Sequence, residues 1–308
     1  MTPKTRGAGA AAGARATGRT WVEITVEASA RVAEAVSAIL QELRSGGFIE
    51  ERPATDRCRF RCYLPPSRVL AVTLRGLRAR VRGLHAFGLE PGRVRVSHRA
   101  VAARRWATAW RRHVRPVRVG RLFVRPSWVR TPAPARSLVI EIDPGMAFGT
   151  GLHPSTRLCL RALLTAVPAA GVVFDVGTGS GILAIAAARL GAGRVLAVDE
   201  DLVAVAVARE NVRRNGVASR VRVARGDGLR RAASRADVIV ANIVADVIIP
   251  MLPDLRAHLE PGGVCIGSGL VVDRVADVLR AADAAGLRHR RTLAEGEWRA
   301  VVLQAPAS

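Results

Sequence analysis

The chain has 308 residues, 48 of them Lys or Arg and 25 Asp or Glu, for a net charge of +23, and 49% are hydrophobic. That is enough apolar material for two globular domains, while no apolar run reaches the ~20 residues of a membrane-spanning helix, so the chain reads as cytoplasmic and without membrane contact. Cys58, Cys62, Cys159 and Cys265 fit a reducing compartment, and the six histidines, scattered without ligand spacing, imply no metal centre.

Residues 1–20 are rich in Gly, Ala, Thr and Arg and hold no acid, which predicts a disordered basic tail. A transit peptide is the alternative on composition, and the apolar centre of a secretory signal is missing. Trp21 to Val26 alternates as a strand, and Ala30 to Arg44 has helical apolar spacing until Gly46-Gly47 breaks it. Phe48 to Arg52 and Arg57 to Leu64 predict a strand pair, Pro66 to about Leu77 a second helix, and Arg93 to Val101 a last strand. Alternation puts Cys58, Phe60 and Cys62 on one face, which favours core packing over metal or disulfide chemistry. The order βαββαβ over 21–101 predicts a small α+β ferredoxin-like domain, a fold that alone assigns no function.

Residues 102–130 read as a linker. Trp106 and Trp110 share a helical face with Arg104, Arg105, Arg111 and Arg112 around them, and Pro116, Pro126, Pro132 and Pro134 mark an extended connection. Anchoring of a linker helix to a neighbouring domain is the favoured reading of the tryptophans, with nucleic-acid or membrane-surface contact as the alternative. The charge concentrates here. Residues 1–140 hold 28 basic and 8 acidic residues, residues 141–308 hold 20 and 17, and 13 arginines but no acid stand between Glu90 and Glu141. Such asymmetry points to a polyanion, with rRNA contact through residues 91–140. Arginine-rich drift in composition, Lys4 being the single lysine, is an equally open reading.

From residue 131 onward the pattern is α/β. Ile140 to Thr156 reads IEIDPGMAFGTGLHPST, a glycine-rich loop placed to act as a lid, with Ser155 and Thr156 able to cap the helix Arg157 to Ala166. His153 could exchange a proton, though a His before a Pro in a turn is more often structural. Val172 to Val176 is a buried parallel strand, Gly177, Gly179 and Gly181 alternate through a tight turn, and Ile182 to Leu190 is an Ala/Leu-rich helix stopped by Gly191-Ala192-Gly193. Arg194 to Val198 is the next strand, with Asp199 at its tip. This βαβ unit makes a nucleotide site, the tip carboxylate taking the ribose hydroxyls. A dinucleotide turn would carry a glycine where Ile182 stands, and Asp175 would repel a pyrophosphate yet suit a cation. The pattern therefore favours S-adenosylmethionine over NAD.

Further on, Leu202 to Asn215 predicts a helix, Arg220 to Ala224 a strand, and Asp227 either an acceptor for an adenine amino group or a turn residue. Ala236 to Ala241 is an apolar strand with Asn242 at its carboxyl end, where open α/β sheets bind ligands and where its amide oxygen can accept from an amine. A helix from Val247 to Leu259, the strand Val264 to Ser268, another helix and the pair Leu287 to Leu293 and Glu297 to Leu303 close the chain.

The stretches Asp143 to Thr156, Asp175 to Leu183 and Asn242-Ile-Val-Ala245 together closely resemble the PrmA family, methyltransferases of large-subunit ribosomal protein eleven. The resemblance runs through nearly all of the chain after the tail, although Arg105 stands where the family usually has an acid. It implies a class I (Rossmann-like) S-adenosylmethionine-dependent methyltransferase domain over 131–308 that trimethylates lysine ε-amines and an N-terminal α-amine of that ribosomal protein. It also implies cofactor contacts at Thr156, Gly177, Asp199 and Asn242, with Asp175, Gly179, Gly181 and Asp227 as further candidates, and a substrate-recognition role for the N-terminal domain. Asn242 and His153 are the candidates for a part in the chemistry. An rRNA methyltransferase is disfavoured because Ile-Val-Ala follows Asn242 where methylators of base amines and glutamine amides carry Pro-Pro and an aromatic. A non-catalytic ribosome- or RNA-binding protein is disfavoured by the intact Gly177, Asp199 and Asn242.

Overall fold

A computed structural model describes residues 20–41, 48–64, 70–102, 115–143, 151, 153–229, 232 and 234–307. The expected tail, the breaker Gly46-Gly47, the Trp106/Trp110 stretch with its four arginines, and the expected lid at 144–150 lie outside these residues. The chain divides into two compact units, 1–112 and 113–308.

In the first unit β1 (Thr20–Ser29), α1 (Ala33–Gln41), β2 (Phe48–Ala54), β3 (Arg57–Leu64), α2 (Leu70–Arg82) and β4 (Arg95–Ala102) follow one another. The strands form an antiparallel sheet in the order β2-β3-β1-β4. Period-two alternation sends Ile24, Val26 and Ala28 inward opposite Cys62, Phe60 and Cys58, all six fully buried. The shared face of the two cysteines is thus core, and neither is in a disulfide among the described residues. Helix α2 runs past the expected Leu77 because Val81 continues the buried stripe of Leu74 and Leu77. The start of α1 tightens into a 3-10 turn, Ala30–Val32, capped by the Ser29 hydroxyl.

The second unit opens differently from the expected extended connection. Val117–Val119 (β5) and Leu122–Arg125 (β6) form a hairpin, and Leu138–Glu141 (β7) pairs parallel to β6. Leu122 and Val124 are core residues of this unit, so the prolines flank short strands here instead of marking a linker. Helix α3 (Pro154–Ala166) leads to β8 (Val172–Val176), α4 (Ile182–Leu190), β9 (Arg194–Asp199), α5 (Leu202–Arg214) and β10 (Val221–Arg225). There follow β11 (Ala236–Asn242), α6 (Ala245–Ala257), β12 (Leu259–Val271), α7 (Val275–Ala284), β13 (Arg288–Glu295) and β14 (Trp298–Gln304). The main sheet runs β10-β9-β8-β11-β12-β14-β13. Its first five strands are parallel and the closing hairpin is antiparallel, a mixed α/β sheet. Strands β8 and β11 are buried on both faces, Val173, Val238 and Val240 entering one core cluster and Phe174, Val176, Ile239 and Ala241 the other. Their chain order reverses between β8 and β11, and the carboxyl ends on either side of that point carry the candidate site. Among the described residues, no helix is long and apolar enough to cross a membrane.

Candidate active site

Strand β8 delivers the chain into a turn in which Gly177, Gly179 and Gly181 have φ of 71°, 55° and 84°, a region that side chains disfavour. At Gly181, the N-cap of α4, a Cβ would also lie 3.2 Å from the Ala208 Cβ on α5. The expectation that Asp175 faces a cationic ligand needs correcting in part. Asp175 is fully buried, and its Oδ2 accepts from the Thr178 hydroxyl at 2.6 Å and the Ala184 amide at 3.0 Å, so this oxygen holds the turn against the helix. Burial, opposed by those two hydrogen bonds, pushes its carboxyl up to about 7. Its Oδ1 is buried with no partner among the described residues.

The unit β9–α5 grips this turn residue by residue. Asp199 Oδ2 accepts from the Gly179 amide at 2.9 Å, Asn211 Nδ2 on α5 donates to the Ser180 carbonyl at 2.8 Å, and Ala208 abuts Gly181. The second oxygen of Asp199 accepts from the Asp201 amide at 3.0 Å. A carboxylate offers about four lone-pair sites, so the half-buried Asp199 retains acceptor capacity for a diol. Asp227 is exposed beyond β10, in the loop whose Gly226 amide donates to the Asp199 carbonyl at 3.0 Å.

Asn211 was not singled out from the sequence. It and Asn215 close the open edge of β7 as a strand would. Asn215 Oδ1 accepts from the Glu141 amide at 2.9 Å and its Nδ2 donates to the Glu141 carbonyl at 2.7 Å, while Asn211 makes the same exchange with Asp143 at 3.1 and 3.2 Å. The available signal was spacing: Asn211 falls on the buried stripe Ala204, Val205, Ala208 and Val212, where an unpaired amide would be costly.

On the other side of the reversal point, α3 begins at Pro154, three residues before the expected Arg157, with His153 as its N-cap. The cap is therefore the His153 Nδ1, which accepts from the Ser155 amide, and not the hydroxyls of Ser155 or Thr156. Burial, with the Arg157 cation beside it, pushes His153 down to about 4. Neutral near pH 7, engaged with Ser155 and packed edge-on against Trp298 at 4.4 Å, it positions the helix and is a poor base. Thr156, fully buried, receives a 3.2 Å hydrogen bond from Asn242 Nδ2, which leaves Asn242 Oδ1 buried without a partner among the described residues. The Ser268 hydroxyl, opposite Asn242 in the sheet, lies 3.1 Å from the Ser155 carbonyl and 3.2 Å from the Arg299 carbonyl, which share its one proton. Arg157 and Arg161 both pair with Glu295 of β13, so the closing hairpin is tied to the helix that carries Thr156.

The profile of the family described as ribosomal protein L11 methyltransferase (PrmA) matches residues 20–306. The chain belongs to that family. A ribosomal protein L11 methyltransferase of Pelotomaculum thermopropionicum is 44% identical over 93% of this chain and 99% of its own length. One of Levilactobacillus brevis is 37% identical over 93% of this chain and 98% of its own. The crystal structure of ribosomal protein L11 methylase from Lactobacillus delbrueckii subsp. bulgaricus, 30% identical, superposes with a TM-score of 0.59 and covers 62% of this chain and 98% of that one. Family membership makes this chain an S-adenosylmethionine-dependent protein methyltransferase, and the site fits such a donor. A turn with glycine at every second position, a ribose-ready carboxylate and an orphaned amide oxygen converge at the carboxyl ends of β8, β9 and β11.

Proposed function

We propose that this enzyme methylates amino groups of ribosomal protein L11, the lysine ε-amines and the N-terminal α-amine, in the cytoplasm. The observation that carries the reading is the Asn242 amide. Its nitrogen is committed to Thr156, so its buried oxygen is the one that can accept from an incoming amine. Gly177, Gly179 and Gly181 would let the donor lie close to the backbone, Asp199 would take its ribose, Thr156 would line its other side, and Asp227 would reach the adenine edge. Bound there, S-adenosylmethionine supplies an electrophilic methyl group on a sulfonium.

The chain's own residues contribute alignment more than proton chemistry. A lysine has an ordinary pKa of about 10.4 and must shed a proton before it can act as a nucleophile. Burial of the amine against Asn242 favours the neutral form, because desolvation penalises the ammonium. The Asn242 oxygen then holds one N–H and turns the lone pair inward, and the proton shed by the ammonium goes to water, because His153, pushed down to about 4, is a weak acceptor. Two further readings concern the first unit and the start of the second. The order β2-β3-β1-β4 with two crossing helices supports a ferredoxin-like substrate-recognition module, and the arginines of 91–140 support contact with rRNA.

The test is methylation of purified L11 with S-adenosylmethionine, read by mass spectrometry. Wild-type enzyme is expected to add methyl groups at amines. Asn242→Ala, which loses one hydrogen bond to the reacting group, is expected to lower kcat by about 10–100-fold. An unmethylated L11 would refute the substrate, and an Asn242→Ala enzyme at the wild-type rate would refute the role of the amide.

A further inference from the structure

In the second unit, the exposed large hydrophobics among the described residues are Leu202, Val203, Val244, Val247, Val271 and Val272. All six stand just beyond the carboxyl end of a sheet strand or at its last residue: the first two after Asp199 of β9, the next two after Asn242 of β11, the last two at the end of β12. Leu202, Val203 and Val247 fall in the first turns of α5 and α6, and none of the six lies at the opposite edge of the sheet. Scattered exposed valines need no explanation, but a set confined to the ligand-binding edge does.

The two segments that carry the four valines are tied to each other. The Ile243 amide donates to the Ser268 carbonyl at 2.9 Å, and a Cβ on Gly269 would sit 2.8 Å from the Ile243 carbonyl oxygen, so the segments leaving β11 and β12 run in contact. The φ of +84° at Gly269 also favours glycine there. Arg274 bridges to Asp246 at 2.7 Å and ties the segment after Val272 to the start of α6, between Val244 and Val247. On the far side Val271 pairs with Trp298, and the Val272 amide donates to the Glu297 carbonyl at 3.0 Å. Trp298 in turn packs on His153, the cap of the helix bearing Thr156, which holds Asn242. Val271 is therefore linked to the acceptor side of the site through Trp298, His153 and the helix that carries Thr156.

We propose that Val244, Val247, Val271 and Val272 form a lip around the acceptor site that seats an apolar, uncharged stretch of the polypeptide flanking the amine to be methylated. This rests on the reading of the site as one for amines of a protein. The occupant follows from chemistry. The valines are between 37% and 48% exposed, and the charges beside them along the chain, Arg274 and Arg299 against Asp246, Asp273, Asp277 and Glu297, are acidic on balance, which disfavours the phosphates of an RNA. A free lysine has no flanking residues to cover them. A polypeptide that presents its amine to Asn242 must pass over them, and apolar side chains there would leave water on docking.

The test compares Val244→Ser/Val247→Ser and Val271→Ser/Val272→Ser with wild type in the full chain, with purified L11 as substrate. Removing the apolar surface of a pair of valines is expected to raise KM for L11 by about tenfold or more. The kcat and the affinity for S-adenosylhomocysteine should stay within about twofold, which also shows that the variants are folded. Unchanged KM in both variants, while wild type methylates L11, would overturn the lip and leave the function standing. So would a wild-type dimer that the substitutions convert to monomers at constant KM, since the patch would then serve a second copy of the chain. Failure of the wild type to methylate L11 would remove both readings together.

Discussion

A carboxyl group at the mouth of a glycine turn has to satisfy the donors of the turn before it can serve a ligand. Asp175 meets that demand with one oxygen, on which the Thr178 hydroxyl and the Ala184 amide converge. Asparagine can supply the same oxygen without the charge. Because burial raises the folded-state pKa from 3.8 to about 7, folded Asp175 binds a proton that the unfolded chain has already lost between those values. Stability from this group is thus full below pH 3.8 and declines as the pH rises through 7. Asp175→Asn should accordingly match wild type near pH 4 and exceed it at pH 8 by at least about 1 kcal/mol in urea denaturation. If the carboxylate charge also attracts a cationic donor, wild type should bind S-adenosylmethionine more tightly than Asp175→Asn at pH 8, and the two should converge below pH 6. A stability difference that does not change with pH would mean that Asp175 carries no buried charge.

Strand β9 and helix α5 act on the glycine turn as one piece, touching Gly179, Ser180 and Gly181 through Asp199, Asn211 and Ala208. Two buried asparagines one helical turn apart allow the contribution of the grip to be separated from simple stability. Asn211→Ala strands the Ser180 and Asp143 carbonyls and Asn215→Ala strands that of Glu141, each at about 1–3 kcal/mol of stability. Only the first touches the turn. Calorimetry should show S-adenosylmethionine affinity falling about tenfold in Asn211→Ala and holding in Asn215→Ala. Equal affinities in the two variants would show that the turn does not depend on α5. The difference also marks how far the sequence can be read. Helix Ile182–Leu190 has the bounds its composition predicts, because a glycine opens it, a glycine closes it and every residue between is apolar or at its last turn. The partners of Asn211, in contrast, are backbone carbonyls 31 and 68 residues away, and no local pattern encodes them. Strands β5 and β6 are hidden in the same way. They are three and four residues long, set among arginines and prolines, and acquire their identity from pairing with each other, from the pairing of β6 with β7 and from packing in the core. The cap of α3 escapes a reading based on hydroxyls because His153 can do with a ring nitrogen what Ser and Thr do with an oxygen.

At the scale of the whole molecule the question is what +23 charges do for an enzyme whose candidate chemistry needs almost none of them. Of the arginines in the acid-free run from 91 to 140, those at 93, 95, 99, 115, 118, 121, 130 and 136 are exposed, while Arg125 is committed to Glu141 and the Thr131 carbonyl. Arg99 is paired with Glu23, so most but not all of this charge is available. If exposed arginines hold phosphate, log affinity for single-stranded RNA should fall linearly with log salt, with a slope near −0.7 per phosphate held. If they are solvated individually, binding should vanish at physiological ionic strength, where the Debye length is about 8 Å. The variant to compare is Arg93→Glu/Arg95→Glu/Arg118→Glu/Arg121→Glu, which alters both units at positions far in sequence from every candidate site residue. Sequence-blind RNA binding is expected in wild type. In the variant the slope should become shallower by about 0.7 for each phosphate no longer held, while kcat/KM on free L11 stays the same. An RNA affinity that is identical in the two proteins across the salt series would leave the arginines as composition alone. A parallel loss of L11 methylation would instead assign them to the protein substrate.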